Sequence, residues 1–534
     1  MGRLKLKAVA LLVAGVLAGT CILPGCAQKP REAKPGRGGA LTIAIPQDPV
    51  ALDVHRTSWA DIVHSLIYDP LLTLDLDRKY VPQLAESWNV SPDGKEITIK
   101  LRKDVKFHDG KRLNAEAVKF TYDRLKDPAM AAPFAGQIGP LEQVVAADEY
   151  TVKMVYKEPF APFFYVMDSA YLGIMSPEAV RTLGDNFNRS PVSTGPFIVE
   201  EWVPGDHLSY KRNEDYRWPA PYYENRGPAY FEKVVMKIIP DENTRVLALE
   251  KGDIDITDVP TTAVPRLRGN PDVTLHETLT EQLTYLGFNF KKYPWTEAPV
   301  RQAIAHAINR EEIITQALEG MAVPAWGPLV PAMSGYWEGI KDYAPQYAPD
   351  KVKPLLAQAG WDKVDSEGFV VKDGKRLTLD IMTYPEPDWV RVGEVVVSQL
   401  RKVGVDARLK TVERATLLAS TPKGEHDAIL ILYGYRDPDI LFYFFHSSRL
   451  PTTNRCHYVN PKVDELLERG RTTVNPDQRT EVYREVQITI MQDGVWVPLY
   501  VPKAVTGVRK EVKGFKVHPV HGGWLLHDAY KEIK

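Results

Sequence analysis

The chain has 534 residues, 44% of them hydrophobic and 25% charged, the balance of a globular protein longer than one ordinary domain. Lys and Arg number 67 against 69 Asp and Glu, a net charge of −2, which leaves no basic footprint for nucleic acid. With 25 Tyr, 16 Phe and 11 Trp there is aromatic surface enough for a ligand cleft, although aromatic residues fill cores as well.

Arg3, Lys5 and Lys7 precede an uncharged, mostly apolar run from Ala8 to Gly19. About a dozen residues cannot cross a bilayer core, which needs about 20. A basic start, a short apolar run and small residues after it describe a secretory signal. Leu23-Pro24-Gly25-Cys26 resembles the bacterial lipobox, in which the cysteine is acylated and becomes the mature N-terminus; Cys21, after Thr20, fits less well. The alternative is ordinary cleavage with Cys26 a bystander. Removal of residues 1–25 takes the net charge to about −5 and leaves Cys456 with no cysteine for an internal disulfide once Cys26 is lipidated. Residues 26–38, rich in Lys, Arg, Pro and Gly, read as a solvated, lipid-anchored tether. The expected location is the outer face of a bacterial cytoplasmic membrane, or the periplasm.

Leu41–Ile45 predicts a strand, and another is expected over Leu71–Leu76. In SPDGKEITIKLRKDVKFHDGKRL, Asp93-Gly94 turns, Ile97, Ile99 and Leu101 alternate, and Asp109-Gly110 turns again. Asn114 is placed to cap a helix running to about Leu125, with Glu116 in its first turn. TVKMVY alternates as a strand. Strand patterns continue from TGPFIVEEWVPGDHLSYKRN to KVVMKIIP. DENTRVLALEKGDIDI then gives a helix ending near Gly252 and a short strand, an order that suggests a parallel unit. PVRQAIAHAINREEIITQAL repeats apolar residues at helical spacing through Val300, Ile304 and Ile308. DKVKPLLAQAGW predicts a short helix that begins just before Pro354 and stops at Gly360. In DWVRVGEVVVSQLRKVGVDARLK a helix ends at Gly404 and a strand follows over Val405–Val412. HDAILILYGY is an uninterrupted apolar run, as in a strand buried on both faces. Helices near Lys462–Arg471 and Pro476–Gln492 precede a return to strand in VWVPLYVP and AVTGV. The total is α/β, with sheets expected to divide between lobes.

VPQLAESWNVSPDGKEITIKLRKDVKFHDGKRLNAEAVKFTYDRL resembles the signature segment of the bacterial extracellular solute-binding proteins of family 5, the peptide- and nickel-binding receptors of ABC importers. STGPFIVEEW, PDENTRVLALEKGDIDI, VRQAIAHAINREEII, LLAQAGW, QLRKVGVDARL, NPKVDELLERGRTT and WVPLY fall in that family's order, from about Gly39 to about Lys513. The resemblance implies the large type II periplasmic-binding-protein fold: lobe I over 39–286 with an inserted subdomain near 80–190, lobe II over 287–490, and a return to lobe I over 491–534. It also implies two crossings between lobes, near TEQLTYLGFNF and GVWVPLYVP, a two-strand hinge that allows closure and resists twisting. The ligand would be buried between the lobes. Most signature residues read as structural: Phe107, His108, Asp109 and Gly110 as a strand end and turn, Arg212-Asn213 as a turn, Trp88 as core.

The informative stretch for the site is LILYGYRDPDILFYFFHSSRLPTTNRCHYVNP. Peptide receptors similar to this chain place an aspartate shortly after an aromatic here to pair with the peptide α-ammonium, because an unpaired buried charge is very costly. This chain departs from that pattern: Tyr433-Gly434-Tyr435-Arg436 runs straight into Asp437-Pro438-Asp439. Asp437 reads either as a helix N-cap ahead of Pro438 or as the ammonium partner. Arg436 is suited to a ligand carboxylate through two parallel hydrogen bonds, or to an acid of its own chain. Tyr433 and Tyr435 could stack on a ligand or offer hydroxyls. HRTSWADIV matches the family's first cleft-lining segment and adds Trp59 and Ser58; Tyr384, ending LDIMTY, is a further contact. His446 and His457 lack the tight spacing of a protein metal site. Family nickel receptors hold nickel largely through a small chelator, and the arginine they use after the inserted subdomain has no counterpart in MDSAYLGIM. No metal ligand and no cofactor is expected.

The expected function is capture of a small solute, a short peptide first, by a monomer that delivers it to permease subunits driven by ATPases. A nickel chelate, haem or an oligosaccharide is the alternative within the class. A surface hydrolase is the remote one: no G-x-S-x-G elbow, H-E-x-x-H or P-loop is present, and HETLT at His276 lacks the second histidine. A chaperone-like or signalling role on the same fold is a third class the sequence leaves open.

Overall fold

A computed structural model describes residues 36–532 apart from 59 and 521. Cys26 and the expected signal and tether up to residue 35 lie outside the described residues, as does Trp59. Strand β1 (Ala40–Ile45) comes first. A separate antiparallel sheet follows, formed by β2 (Ala85–Val90), β3 (Glu96–Leu101), β4 (Leu141–Asp148) and β5 (Thr151–Tyr156) in the order β2-β3-β5-β4. Helix α1 (Ala115–Lys126) lies between β3 and β4, and Asn114 starts it by accepting from the Ala117 amide at 3.0 Å. The alternating Ile97, Ile99 and Leu101 of β3 meet Val118, Tyr122 and Leu125 of α1 in a core of their own. Each such side chain contributes roughly 1.5–3 kcal/mol on burial. Helix α2 (Phe163–Met167) adds Phe163, Val166 and Met167 to the same core.

Buried Asp69 fastens the two ends of this segment to the rest. Gln83 Nε2 and Tyr216 Oη donate to its Oδ1 at 3.1 and 3.0 Å; Thr194 Oγ1 and Trp218 Nε1 donate to its Oδ2 at 3.0 and 3.1 Å. Burial pushes the carboxyl up to about 6 against the pull of those donors.

The main sheet has twelve strands. β6 (Phe197–Val203) and β7 (His207–Arg212) form a hairpin, and β7 pairs with β8 (Lys233–Ile238). Helix α3 (Glu242–Lys251) then leads to β9 (Ile256–Asp258), and β8 and β9 flank β1 in parallel, the unit expected from DENTRVLALEKGDIDI. β10 (Val273–Leu279) is separated from β11 (Gln282–Phe288) by Thr280 and Glu281 alone. The helical spacing from Val300 to Ala317 resolves into two helices, α4 (Ala298–Ala307) and α5 (Arg310–Ala317). Next come β12 (Ala322–Pro324), β13 (Thr378–Thr383), α6 (Pro387–Lys402), β14 (Asp406–Thr411), α7 (Arg414–Ser420), β15 (Ala428–Gly434), α8 (Ile440–Phe445), α9 (Pro461–Thr472), α10 (Pro476–Asp493) and β16 (Trp496–Arg509).

The sequence suggests two strands in VWVPLYVP and AVTGV; the structure has one, β16, fourteen residues long. Its first half pairs with β11 and its second with β10, so the chain passes between the two halves of the sheet twice, side by side. In the second half, β13 runs parallel to both β14 and β15, while β11 is antiparallel to β15. β15 is covered on both faces: Ala428 and Leu430 enter one core, Ile429, Ile431 and Tyr433 the other. Helix α6 lies close on β14 because Gly393 faces it; a Cβ there would stand 2.5 Å from Leu409 Cδ1. Gly404, at φ +86°, makes the left-handed turn from α6 into β14. Among the described residues no helix is long and apolar enough to cross a membrane.

Candidate functional site

β15 ends at Gly434, paired with Gln282 at the start of β11, so the next residues leave the sheet beside the crossing at Thr280-Glu281. The Tyr435 amide donates to the Glu281 carbonyl at 3.4 Å. Its hydroxyl donates to Gln137 Oε1 at 3.0 Å, and its ring lies 4.6 Å from that of Tyr165 in α2. Arg436 Nη1 donates to Asp168 Oδ2 at 2.8 Å, its Nε stands 3.6 Å from Glu281 Oε2, and its Cζ lies 5.3 Å from the Tyr165 ring. Residues 435–436 therefore join the second half of the sheet to the inserted segment and to the crossing strand.

The electrostatics follow from burial. Asp168 is pushed up to about 6 by desolvation, with Arg436 pulling the other way. Glu281 is also raised by burial. Burial opposes the Arg436 charge, but Asp168 and Glu281 more than offset it and keep the guanidinium protonated.

Other expected contacts fall elsewhere. Tyr433 is a core residue: its hydroxyl donates to the Pro328 carbonyl, and its ring packs 5.2 Å from Phe444 and 5.8 Å from Trp496. It shares a strand face with Ile429 and Ile431, the face that packs into the second core, so it points away from solvent. Asp437 is not free for an ammonium ion. Arg479 Nη1 and Nη2 donate to its two oxygens at 2.8 and 2.6 Å, and the Asp439 amide donates to Oδ1 at 2.8 Å. It thus orders the turn into α8, with Asp439 rather than Asp437 immediately before the helix. Ser58 is exposed, and its carbonyl accepts from Tyr171 Oη at 2.8 Å while the Ala60 amide donates to that same oxygen at 3.0 Å. Tyr384 follows β13, its ring edge-on to Trp389 at 5.6 Å. His446 Nε2 lies 3.2 Å from Glu468 Oε1, and His457 Nε2 lies 2.9 Å from the Thr421 carbonyl. His108 Nε2 lies 3.0 Å from the Gly195 carbonyl. Cys456 is free and buried, with Trp496 Nε1 donating to its sulfur at 3.3 Å.

The family profile described as "Bacterial extracellular solute-binding proteins, family 5 Middle" matches residues 79–451. The chain belongs to this family. Like other family 5 proteins it has the mixed α/β periplasmic-binding fold. It is 32% identical over 459 residues to the probable D,D-dipeptide-binding periplasmic protein DdpA of Escherichia coli (strain K12), with 82% of each chain covered. Its fold is similar to that of the oligopeptide-binding protein AppA of Bacillus subtilis, solved with a nonapeptide, at a TM-score of 0.73 and 26% identity over 93% of this chain and 100% of that one. NikZ of Campylobacter jejuni, solved with Ni(L-His), matches at a TM-score of 0.76 and 25% identity over 92% and 99%.

The sequence singles out Tyr435 and Arg436 but none of the partners they meet in the structure, Gln137, Tyr165, Asp168 and Glu281. Asp168 and Arg436 are 268 positions apart, and no local pattern marks the aspartate. Glu281 had a usable signal, since it sits between two strand patterns where the chain was expected to cross.

Proposed function

We propose that this family 5 protein is the receptor of an ABC importer, closing on a short peptide and delivering it to membrane permease subunits driven by ATPases. In this reading lobe I spans 39–286 and 491–534, with the inserted subdomain near 80–190, and lobe II spans 287–490. Lipidated Cys26 tethers a monomer at the outer face of the cytoplasmic membrane or in the periplasm. The observation that carries the reading is the bridge from Tyr435 and Arg436 to Gln137, Tyr165 and Asp168, contacts available only when the two halves meet. A solute drives such closure by binding the closed form more tightly than the open one. The peptide assignment is supported by relatives named for dipeptide and oligopeptide binding.

A metal chelate is the second reading, favoured by one observation. Both oxygens of Asp437 are taken, so a peptide ammonium has no partner at that position. Among the described residues no group of three or more His, Cys, Asp or Glu could hold a metal, so a metal would arrive with its own chelator. A thermal-shift panel of di- to pentapeptides, nickel with and without histidine, haem and oligosaccharides separates the readings. Peptide at about 100 times its Kd is expected to add about 2.7 kcal/mol of stability. A response to nickel-histidine or a sugar with none to any peptide overturns the peptide assignment, and turnover of a tested solute overturns the non-enzymatic reading.

A further inference from the structure

The inserted segment meets the second half at a second place, away from Tyr435 and Arg436. The turn over residues 91–95 joins β2 to β3, and residues 157–162 lead from β5 into α2. Both reach the end of α9 and the corner that follows it. The buried Ala161 amide donates to the Arg471 carbonyl at 2.7 Å. Gly94 is buried although Asp93 and Lys95 beside it are exposed. A Cβ at Gly94 would stand 3.2 Å from Val474 Cγ1 and 3.1 Å from Pro159 Cβ, so Val474 sits directly on the turn.

The same corner grips the loop that carries Tyr435 and Arg436. Arg471 Nε stands 3.0 Å from Asp439 Oδ1. The Arg471 Cζ lies 4.1 Å from the Phe442 ring of α8 and 5.7 Å from the Phe160 ring of the inserted segment, so one guanidinium faces rings of both bodies. Arg479 Nε donates to the Gly470 carbonyl at 2.9 Å while its two terminal nitrogens hold Asp437. Both aspartates that follow Arg436 are thus tied to α9 and α10. An amide–carbonyl bond that exchanges for water changes the net free energy little, so the Ala161–Arg471 contact can break and re-form as the halves part and meet.

We propose that the corner between α9 and α10 is a second closing contact for the inserted segment, and that Arg471 is a positioning residue that relays this contact through Asp439 and Phe442 to the loop at Arg436. The inference rests on the solute-closing reading and deepens it: the inserted segment shuts on the second half at two linked points.

Amide hydrogen exchange of the purified chain, empty and with trialanine, pentaalanine, nickel-histidine or haem, tests it in wild type, Val474→Arg, Arg471→Gln and Arg471→Lys. Val474→Arg sets a long side chain against Gly94 at a half-buried position, and melting temperatures of the empty variants check that each folds. In wild type, exchange over 158–164 and 470–476 is expected to slow on binding together with 435–440. Val474→Arg is expected to lose the first two effects, to lessen the third and to bind the solute about 3- to 10-fold more weakly. Arg471→Gln is expected to lessen the slowing over 435–440, and Arg471→Lys to recover part of it. Slowing over 435–440 alone overturns the second contact and leaves the solute-closing reading standing. Equal protection of 158–164 in the empty and occupied chain makes the contact a permanent strut and overturns it as well. Arg471 variants that match wild type over 435–440 remove the relay. A chain whose exchange no probe alters anywhere overturns the solute-closing reading and the inference with it.

Discussion

Replacing Arg436 with methionine is expected to weaken solute binding by about two to three and a half orders of magnitude while leaving the open chain folded. The guanidinium pairs with both Asp168 and Glu281 across the meeting of the two halves. Its removal leaves Asp168 buried and without its cation, a loss of about 3–5 kcal/mol in comparable buried pairs. That cost falls on the closed form, so it is read as affinity. The pH dependence has a definite sign. The Asp168 carboxyl is raised to about 6 in the closed form, above its ordinary value of 3.8, so closure takes up a proton between those values. Wild-type affinity therefore declines as pH rises from about 4 to about 6 and is level above. In Arg436→Met the pull toward the charged form is gone, so the carboxyl is raised further and binding recovers as pH falls through a value above the wild-type one. Arg436→Lys keeps the charge without the fork and is expected to fall between. Titration calorimetry across pH 4.5–8 checks this, and unchanged affinity at every pH would remove the bridge from the account.

Asp69→Ala is expected to cause the largest loss of folding stability, about 3–5 kcal/mol. Four donors converge on this carboxylate, and alanine leaves Gln83, Thr194, Tyr216 and Trp218 without it in a buried site. Those residues lie on both sides of the inserted segment, so the loss is expected first as loosening of that segment. Denaturant unfolding followed by circular dichroism, together with amide exchange over 85–156, reads both effects. A loss under about 1 kcal/mol would mean that water replaces the carboxylate without penalty.

Where structure was legible in the sequence, the cause is local. Asn114 carries its own capping oxygen, Gly404 supplies the left-handed turn, and the short apolar run 428–433 suits a strand with both faces covered. Where it was not, the deciding partner is remote. The break between α4 and α5 is held by Gln399, which bonds both the amide and the carbonyl of Asn309 at 3.0 and 3.1 Å from 90 positions away. Pro502 looks like a strand end in VWVPLYVP. It sits inside β16 because its carbonyl takes the Thr280 amide and hydroxyl, both at 3.0 Å, at the point where the strand changes partners. The same distinction governs the site. Arg436 stands out beside two tyrosines, whereas the acids that neutralise it come from the inserted segment and the crossing, and Asp437 is claimed by Arg479, 42 positions on.

Small-angle scattering of the purified chain, with and without a saturating solute from the binding panel, tests the central claim most directly. A receptor whose halves are joined by adjacent crossings and bridged by Arg436 is expected to contract on binding, and Arg436→Met to contract less at the same solute concentration. An identical scattering curve for the empty and fully occupied wild-type protein would contradict closure around a captured solute.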